Sequence, residues 1–271
     1  MGLLDNMVVL ISGAARGQGR SHAVRLAEEG ADIVGFDICS DIDPLSYPMA
    51  TSEDLIETSR LVEKAGRRML AIEADVRDRA QVQSVVDAGV AEFGRLDSVI
   101  ANAGIAPTLG ANVDEVKLWS ELIAVNLTGV FHTVRAAAPA IVAGERGGSI
   151  VIISSTAGLK GTAFYGQGEG YAASKHGVVG LMRCFAHEFA PHRIRVNTIH
   201  PTGVETPMIQ NEAMEQAFRE NPDLLENVTN LIDVPWVQSS DVSEAVLWLV
   251  SENARYVTGT TLPVDAGLCV K

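Results

Sequence analysis

Short runs of apolar and β-branched residues alternate along the chain with longer segments in which apolar residues recur at helical spacing. Helical periodicity predicts helices that include residues 17–29, 113–143, 171–190 and 241–251. The short runs predict strands near residues 7–12, 31–37, 69–76, 96–101, 149–155, 195–200 and 260–264. Strands that alternate with helices indicate a doubly wound α/β fold, a seven-stranded parallel sheet with helices on both faces.

Two segments interrupt this alternation. Residues 39–52 contain Pro44 and Pro48, and residues 208–235 mix polar with apolar positions. We expect both to be excursions over the edge of the sheet. No internal repeat or linker divides the chain, so the pattern predicts one domain over residues 1–271.

Composition and charge narrow the class of protein. The chain is 47% hydrophobic and 20% charged, which favours a large buried core. Its formal net charge of -13 opposes binding to nucleic acid or to anionic membrane surfaces, because both need clustered cations. No apolar run is long enough to span a membrane and no leader pattern is visible.

The cysteines and histidines give no sign of a disulfide or a metal site. Cys39, Cys184 and Cys269 are odd in number and widely spaced, which favours reduced thiols and a cytoplasmic protein. His187 and His192 do not have the spacing of zinc ligands, so no metal is expected.

A glycine-rich turn follows the first predicted strand. Gly13 suits the tight turn, Gly17 lets the backbone approach a pyrophosphate, and Gly19 permits close packing of the following helix. The helix that begins here would direct N–H groups and its positive dipole at the phosphates. A flexible turn is the alternative, but the strand-turn-helix context favours a dinucleotide site.

Asp37 follows Gly19 by eighteen residues, at the end of the second predicted strand. An acid there accepts hydrogen bonds from the adenosine ribose and repels a 2′-phosphate, which favours NAD over NADP. Arg16 opposes this interpretation, because a cation in the glycine loop would neutralise that phosphate. We give the carboxylate more weight, since Arg16 can turn to solvent.

Tyr171 and Lys175 lie one helical turn apart and can face the same cleft. A free phenol has a pKa of about 10. A neighbouring ammonium and a positively charged nicotinamide would lower the pKa of Tyr171 towards neutrality and make it a general acid/base. Taken alone, the pair is equally compatible with a surface contact.

Together these motifs resemble the short-chain dehydrogenase/reductase family over essentially the whole chain. The resemblance implies a single-domain Rossmann-type fold and an NAD-dependent interconversion of a small-molecule alcohol and its ketone. A non-catalytic NAD-binding regulator would need none of the acid/base residues. The matching segments are the glycine loop, Asp75-Val76, Asn102-Ala103-Gly104, Asn126, Ser154-Ser155, Tyr171 with Lys175, and residues 201–206.

The resemblance also implies four catalytic residues. Tyr171 would be the general acid/base, and Lys175 would lower its pKa and bind the nicotinamide ribose. Ser155 would hold the substrate oxygen, although it lies sixteen residues before Tyr171, farther than is usual in the family, which leaves Ser154 as the alternative. Asn126 would bind a water that links Lys175 to solvent, or would be a buried amide at a helix kink.

The remaining matches imply cofactor contacts. Asp75 and Val76 would touch adenine, although a strand-end Asp is otherwise often a helix cap. Thr202 stands where the family commonly has glycine. The implied cofactor-binding residues are Gly13, Arg16, Gly17, Gln18, Gly19, Asp37, Asp75, Val76, Asn102, Ala103, Gly104, Tyr171, Lys175, Pro201, Val204 and Thr206.

Longer segments of the sequence, including residues 12–33 and 171–183, resemble an actinobacterial branch of mycofactocin-coupled, carveol-type dehydrogenases. That resemblance implies a hydrophobic, terpenoid-like secondary alcohol and a tightly held NAD, reoxidised in place by an external carrier such as mycofactocin. Residues 39–52 would then cover the adenosine end of the cofactor, and residues 208–235 would form a substrate lid. Family analogy implies a homotetramer.

Overall fold

One parallel sheet organises the chain. The computed structural model describes residues 2–107, 113–161, 167–220, 222 and 228–271. The strand order is β3-β2-β1-β4-β5-β6-β7, so the direction of winding reverses between β1 and β4, where α/β sheets place their ligands. The strands are β1 Val8–Ser12, β2 Asp32–Asp37, β3 Met69–Glu73, β4 Ser98–Ala101, β5 Gly148–Ile153, β6 Ile194–Pro201 and β7 Thr261–Val264. This confirms the predicted doubly wound, seven-stranded fold.

Helices cover both faces of the sheet. One apolar cluster packs α3 to α6 against one face, and a second packs α1, α2 and α8 against the other. All five residues of β1 are buried, as expected for a strand covered on both sides. The α-helices among the described residues are α1 Gly17–Glu28, α2 Ser52–Lys64, α3 Arg79–Phe93, α4 Glu115–Ile123, α5 Val130–Ala143, α6 Glu169–Phe189, α7 Glu212–Glu220 and α8 Ser239–Val250.

The helix predicted over residues 113–143 is not continuous. A π-helical turn, Ala124–Gly129, separates α4 from α5. Apolar periodicity does not distinguish a π-helical turn from an α-helical one. Asn126 lies in this turn, where it is fully buried and hydrogen-bonded to Ile105.

Both predicted excursions leave the sheet at its ligand-binding edge. The first, residues 39–52, ends in α2, whose N-cap Thr51 forms a capping box with Asp54. The second contains α7, and its residues 221 and 223–227 lie outside the described part of the chain. Within the described residues, none of the helices is long and apolar enough to cross a membrane. All three cysteines are free thiols.

Candidate active site

The glycine loop folds tightly because two of its glycines cannot carry a side chain. Gly13 has a φ of 67°, and a Cβ there would lie 2.8 Å from Ala103 Cα. A Cβ on Gly19 would lie 1.9 Å from the carbonyl oxygen of Gly13, so only glycine lets α1 start so close to β1. Gly17, also at positive φ, lies against the methyl group of Thr206.

The N-terminus of α1 is suited to an anion. Its N-cap residue, Arg16, makes no side-chain capping bond, and no acidic residue lies in the first turn. The Oε1 atom of Gln18 is buried without a hydrogen-bond partner among the described residues. The free N–H groups and the helix dipole would stabilise a negatively charged ligand.

Arg16 does not turn to solvent, contrary to our expectation. Its Nη2 atom donates to the carbonyl oxygen of Pro48 at 2.6 Å, which ties the glycine loop to the first excursion. The acceptor, Pro48 O, belongs to the first excursion, so the sequence next to Arg16 gives no sign of this bond. Arg16 remains close enough to Asp37 to lower the pKa of that carboxyl group.

Asp37 lies at the carboxyl end of β2 and is held by main-chain donors. Its carboxylate accepts from Ala15 N at 3.0 Å and from Ile38 N at 2.9 Å. Burial raises the pKa of Asp37, while these bonds lower it. The carboxylate is therefore fixed beside the glycine loop, as the prediction of a ribose acceptor requires.

Asn102 joins the end of β4 to the end of β1. Its Nδ2 atom donates to the carbonyl oxygens of Ser12 at 3.0 Å and Gly13 at 3.1 Å. The Ser12 hydroxyl in turn accepts from Asn102 N and Ala103 N, both at 3.1 Å. These bonds position the turn that continues into Gly104, at the reversal point of the sheet.

Asp75 is not a helix cap. The N-cap of α3 is Asp78, whose carboxylate accepts from Ala80 N at 2.8 Å. Asp75 instead forms an ion pair with Arg77 at 2.6 Å, and Arg77 also binds Glu121 at 2.6 Å. Asp75 and its neighbour Val76 line a cavity together with the glycine loop and Asp37, and the resemblance places adenine at Asp75 and Val76.

Ser155, rather than Ser154, is paired with Tyr171. The Ser155 hydroxyl interacts with the Tyr171 hydroxyl and lowers the pKa of that phenol. Ser154 is buried and donates to the carbonyl oxygen of Lys175 at 3.0 Å, which makes it a structural contact between β5 and α6. Residues 162–166, within the loop that lengthens the spacing, lie outside the described residues.

Tyr171 and Lys175 have perturbed acidities. Burial of the hydroxyl raises the pKa of Tyr171, and the bond to Ser155 offsets this in part. Burial lowers the pKa of Lys175 to about 8. The Lys175 Nζ atom lies 5.6 Å from the centre of the Tyr171 ring and donates to the carbonyl oxygen of Ile153 at 3.0 Å.

The protein groups alone therefore do not lower the pKa of Tyr171, whereas the predicted lowering included the charge of a bound nicotinamide. Loss of solvation is the largest influence on this phenol. Further positive charge near the hydroxyl is needed to favour the phenolate.

Asn126 is a buried amide whose two polar atoms bind one residue. Its Oδ1 accepts from Ile105 N at 2.8 Å, and its Nδ2 donates to Ile105 O at 2.9 Å. A Cβ on Gly104 would lie 3.3 Å from this Oδ1 and 3.5 Å from Lys175 Nζ. Asn126 and Lys175 thus face the same loop. The bonds to Ile105 support the interpretation of Asn126 as a buried amide at a helix kink, and its position near Lys175 is compatible with a water that links Lys175 to solvent.

The segment after β6 divides into core and cleft residues. Pro201 pairs with Val264 in the sheet, and Val204 is buried and bridges to Val237. Thr206 lines the same cavity as the glycine loop, and Pro201 and Val204 line neither this cavity nor the one that contains Ser155. Thr202 donates to Asn230 Oδ1 at 2.8 Å and lines the second cavity.

Two cavities meet at Tyr171 and Met208, which line both. The first, the cofactor cleft, brings together the predicted residues Gly13, Arg16, Gly17, Gln18, Gly19, Asp37, Asp75, Val76, Asn102, Ala103, Gly104, Tyr171, Lys175 and Thr206. The second, the substrate cavity, measures about 330 Å³ and contains Ser155. Its described lining residues include no acid and one base, Lys160.

Several residues of the cofactor cleft were not predicted individually. Ile38, Ile42, Tyr47, Met49 and Ala50, within or next to the first excursion, all line it. Their apolar character inside a proline-containing segment was the only available signal.

His200 was also missed as a site residue, because its sequence signal is that of an ordinary buried histidine. Its Nδ1 atom lies 2.7 Å from the carbonyl oxygen of Ser155. No group of His, Cys, Asp and Glu suited to a metal ion occurs within the described ranges.

Comparison with known proteins identifies the family. A family model described as enoyl-(acyl carrier protein) reductase matches residues 13–269. The (−)-trans-carveol dehydrogenase of Rhodococcus erythropolis is 52% identical over 281 residues, covering 100% of both proteins. Carveol dehydrogenase from Mycobacterium avium, solved in complex with NAD, is 49% identical, with a TM-score of 0.92 and 100% coverage of both chains.

A second solved structure agrees. The short-chain dehydrogenase from Mycobacterium paratuberculosis, bound to NAD, is 44% identical, with a TM-score of 0.93 and 100% coverage of both chains. Sequence identity at this level along the full length shows the family, and not only a similar fold. The chain belongs to the short-chain dehydrogenase/reductase family.

Proposed function

We propose that this NAD-dependent oxidoreductase oxidises a hydrophobic secondary alcohol to its ketone, with Tyr171 as the proton-transfer residue. The observation that carries the proposal is that Ser155 and Tyr171 line the substrate cavity together, while Tyr171 also lines the cofactor cleft. A substrate oxygen in the second cavity can reach both hydroxyls while its carbinol carbon faces the cofactor cleft. Reduction of the ketone follows the same path in reverse.

The protein residues handle the proton and hold the substrate. Bound NAD supplies the acceptor for the hydride that leaves the carbinol carbon as its C–H bond breaks. Tyr171, as phenolate, accepts the hydroxyl proton, and Ser155 donates to the same substrate oxygen. Lys175, which lines the cofactor cleft, would bind the nicotinamide ribose, and its charge, with that of oxidised nicotinamide, would favour the phenolate. Asn126 holds the loop on which a water relay to Lys175 depends.

The residues of the first cavity fit NAD. The uncapped start of α1 and the unpaired Gln18 Oε1 suit a pyrophosphate. Asp37 offers a fixed carboxylate for the adenosine ribose hydroxyls and repels a 2′-phosphate. Pro201 and Val204, which do not line the cleft, would act only by positioning Thr206.

The substrate cavity supports the apolar character of the alcohol. Its described lining is dominated by side chains such as Met208, Ile209, Met214 and Phe218. Residues 208–235 thus contribute much of its wall, as a substrate lid would. Two of the similar proteins are named as dehydrogenases of carveol, which is a secondary alcohol with an apolar carbon skeleton. A carveol-like alcohol is the substrate we favour.

The first excursion supports the retention of NAD. Besides the bond from Arg16, the hydroxyl of Tyr47 accepts from Ala106 N at 2.8 Å. These contacts fix the excursion across the cleft, from the glycine loop to the loop after β4. NAD held under it would be reoxidised in place by an external two-electron carrier, for which mycofactocin is our candidate.

Assembly and location are further proposals. Exposed apolar side chains occur on α8, at Trp248, and in the C-terminal region, at Val270, which supports a homotetramer. Three free cysteines support a reducing compartment such as the cytoplasm. Light scattering on the purified protein measures the subunit number directly.

Turnover with and without exchangeable cofactor tests the function. Purified protein should carry NAD through gel filtration and oxidise carveol when an artificial electron acceptor is present. Loss of NAD on the column, with turnover only when NAD is added, would contradict the retention and leave the dehydrogenase intact. No oxidation of any secondary alcohol under either condition would contradict the proposed function.

A further inference from the structure

Trp236 lies where the second excursion returns to the sheet, and its position is fixed from two sides. A Cβ on Gly203 would lie 2.3 Å from Trp236 Cε3, so the six-membered ring of the indole packs directly on the backbone of Gly203. On α7, Phe218 stacks with Trp236 at 6.1 Å between ring centres and 29° between planes. The indole is held between a strand-end loop and a helix.

The backbone that carries Trp236 is also fixed. Its neighbour Val237 donates to the carbonyl oxygen of Gly203 at 3.0 Å and accepts from Glu205 N at 2.9 Å. Upstream, Asn230 accepts from Thr202 Oγ1 at 2.8 Å and donates to Val234 O at 2.8 Å. The Thr202 hydroxyl therefore anchors the segment that leads to Trp236. The sequence resemblance expects glycine at the position of Thr202.

Trp236 lines the same cavity as Ser155 and Tyr171. A substrate whose oxygen meets these two hydroxyls must place its carbon skeleton in the remaining volume, whose wall includes the indole. A wall held in this way cannot reshape itself around different skeletons. A rigid ring packs against it without losing conformational entropy, whereas an open chain must give up rotamers to do so.

We infer that Trp236 is the specificity-determining residue of the substrate cavity, and that it selects secondary alcohols whose hydroxyl group is carried on an apolar ring. The inference rests on the proposed function. It assigns ring selection to one side chain and to the glycine that positions it.

A pair of alcohols with equal carbon number isolates the effect. Wild-type kcat/KM for cyclohexanol should exceed that for 2-hexanol by about tenfold or more, and Trp236→Ala should reduce this ratio to within about threefold. Gly203→Ala, which displaces the indole without deleting it, should reduce the ratio as well. The matched control is Trp248→Phe on α8, a tryptophan that is 39% exposed, which should keep the wild-type ratio.

Fluorescence gives a readout that does not depend on turnover. The chain has three tryptophans, so the variant W119F/W248F leaves Trp236 as the only one. With NAD bound, cyclohexanone should quench its emission saturably, and 2-hexanone should do so only at about tenfold higher concentration.

The outcomes separate the inference from the function on which it rests. An unchanged ring preference in both Trp236→Ala and Gly203→Ala, with normal NAD content and melting temperature, would overturn the inference while alcohol oxidation stands. Absence of all alcohol oxidation in the wild type would remove the proposed function. Saturable quenching by cyclohexanone would then still support Trp236 as a ring-binding wall, and no quenching would overturn that too.

Discussion

His200 donates from Nδ1 to the carbonyl oxygen of Ser155 at 2.7 Å. A carbonyl can only accept, so Nδ1 carries the proton, and Nε2 accepts from Thr198 Oγ1 at 2.8 Å. Burial lowers the pKa of His200, which favours this neutral form. A fully buried imidazole on β6 thus holds the end of β5, from which the Ser155 hydroxyl reaches Tyr171.

His200→Leu should therefore reduce kcat by about tenfold or more without changing NAD content, because Ser155 loses its fixed position. His200→Asn keeps a donor near the carbonyl and should recover part of the loss. The acidic limb of the kcat/KM profile should also move, since the Ser155 bond tunes the pKa of Tyr171. The control is the exposed His192→Asn. A lower stability of His200→Leu with an unchanged pH profile of kcat/KM would show that His200 only stabilises the fold.

Tyr171→Phe should lower kcat by roughly 10²–10⁴-fold while NAD binding stays nearly intact, because only the proton-transfer group is removed. Single-turnover kinetics with a secondary alcohol measure the loss. Tyr256→Phe is the matched control, since Tyr256 is 89% exposed and should be neutral. Near-normal turnover in Tyr171→Phe would rule out the acid/base assignment.

The buried Lys175 should make stability depend on pH in the cofactor-free protein. Its pKa is about 8 in the folded protein, below the ordinary 10.5 of the unfolded chain. Between these values the unfolded chain binds more protons, so the free energy of unfolding should rise as the pH increases from about 8. The raised pKa of Tyr171 acts oppositely above about pH 10, where that phenol ionises in the unfolded chain.

Lys175→Met removes this buried charge and should be more stable than wild type at pH 7 by roughly 1–3 kcal/mol. The difference should narrow as the pH approaches 10. Urea unfolding at pH 7, 8, 9 and 10 measures it, with the exposed Lys64→Met of α2 as the control. A difference that does not vary with pH would show that the charge of Lys175 is not the cause.

Asp37→Asn should relax the preference for NAD. Ala15 N and Ile38 N bind different carboxylate oxygens, so the amide oxygen can keep only one of these two bonds. The charge that repels a 2′-phosphate is gone. The ratio of NADP to NAD affinity should rise by about tenfold or more. Asp41→Asn, on the exposed part of the first excursion, controls for net charge. An unchanged ratio would place the discrimination elsewhere in the cleft.

Tyr47→Phe should accelerate the loss of NAD. The substitution keeps the ring and removes the hydroxyl that accepts from Ala106 N, at a cost of about 1–2 kcal/mol, or roughly 5–30-fold in the release rate. Release can be followed by the change in nicotinamide fluorescence after reduction. Lys117→Ala on α4 removes an exposed ion pair with Asp43 of the excursion and should matter little. Equal release rates in Tyr47→Phe and wild type would show that this bond does not retain the cofactor.

Local patterns were sufficient for the strands, the glycine loop and the Tyr171/Lys175 pair. Each depends on residues close together in sequence, such as a run of β-branched side chains or a spacing of one helical turn. The choice between Ser154 and Ser155 needed the structure, because both hydroxyls follow β5 and only their directions differ. The environment of Arg16 also needed it, since its acceptor, Pro48 O, lies 32 residues away.

Local patterns along the chain predict the doubly wound sheet, the order of its motifs, and the residues whose chemistry suits NAD and an alcohol. The three-dimensional arrangement was needed to see which hydroxyl interacts with Tyr171, that burial raises the pKa of this phenol, and that His200 and Trp236 contact the site. The two kinds of information differ in the range of the interactions behind them. Backbone propensity and side-chain periodicity act between neighbours along the chain, whereas desolvation, long-range hydrogen bonds and ring packing depend on distant segments meeting in the fold.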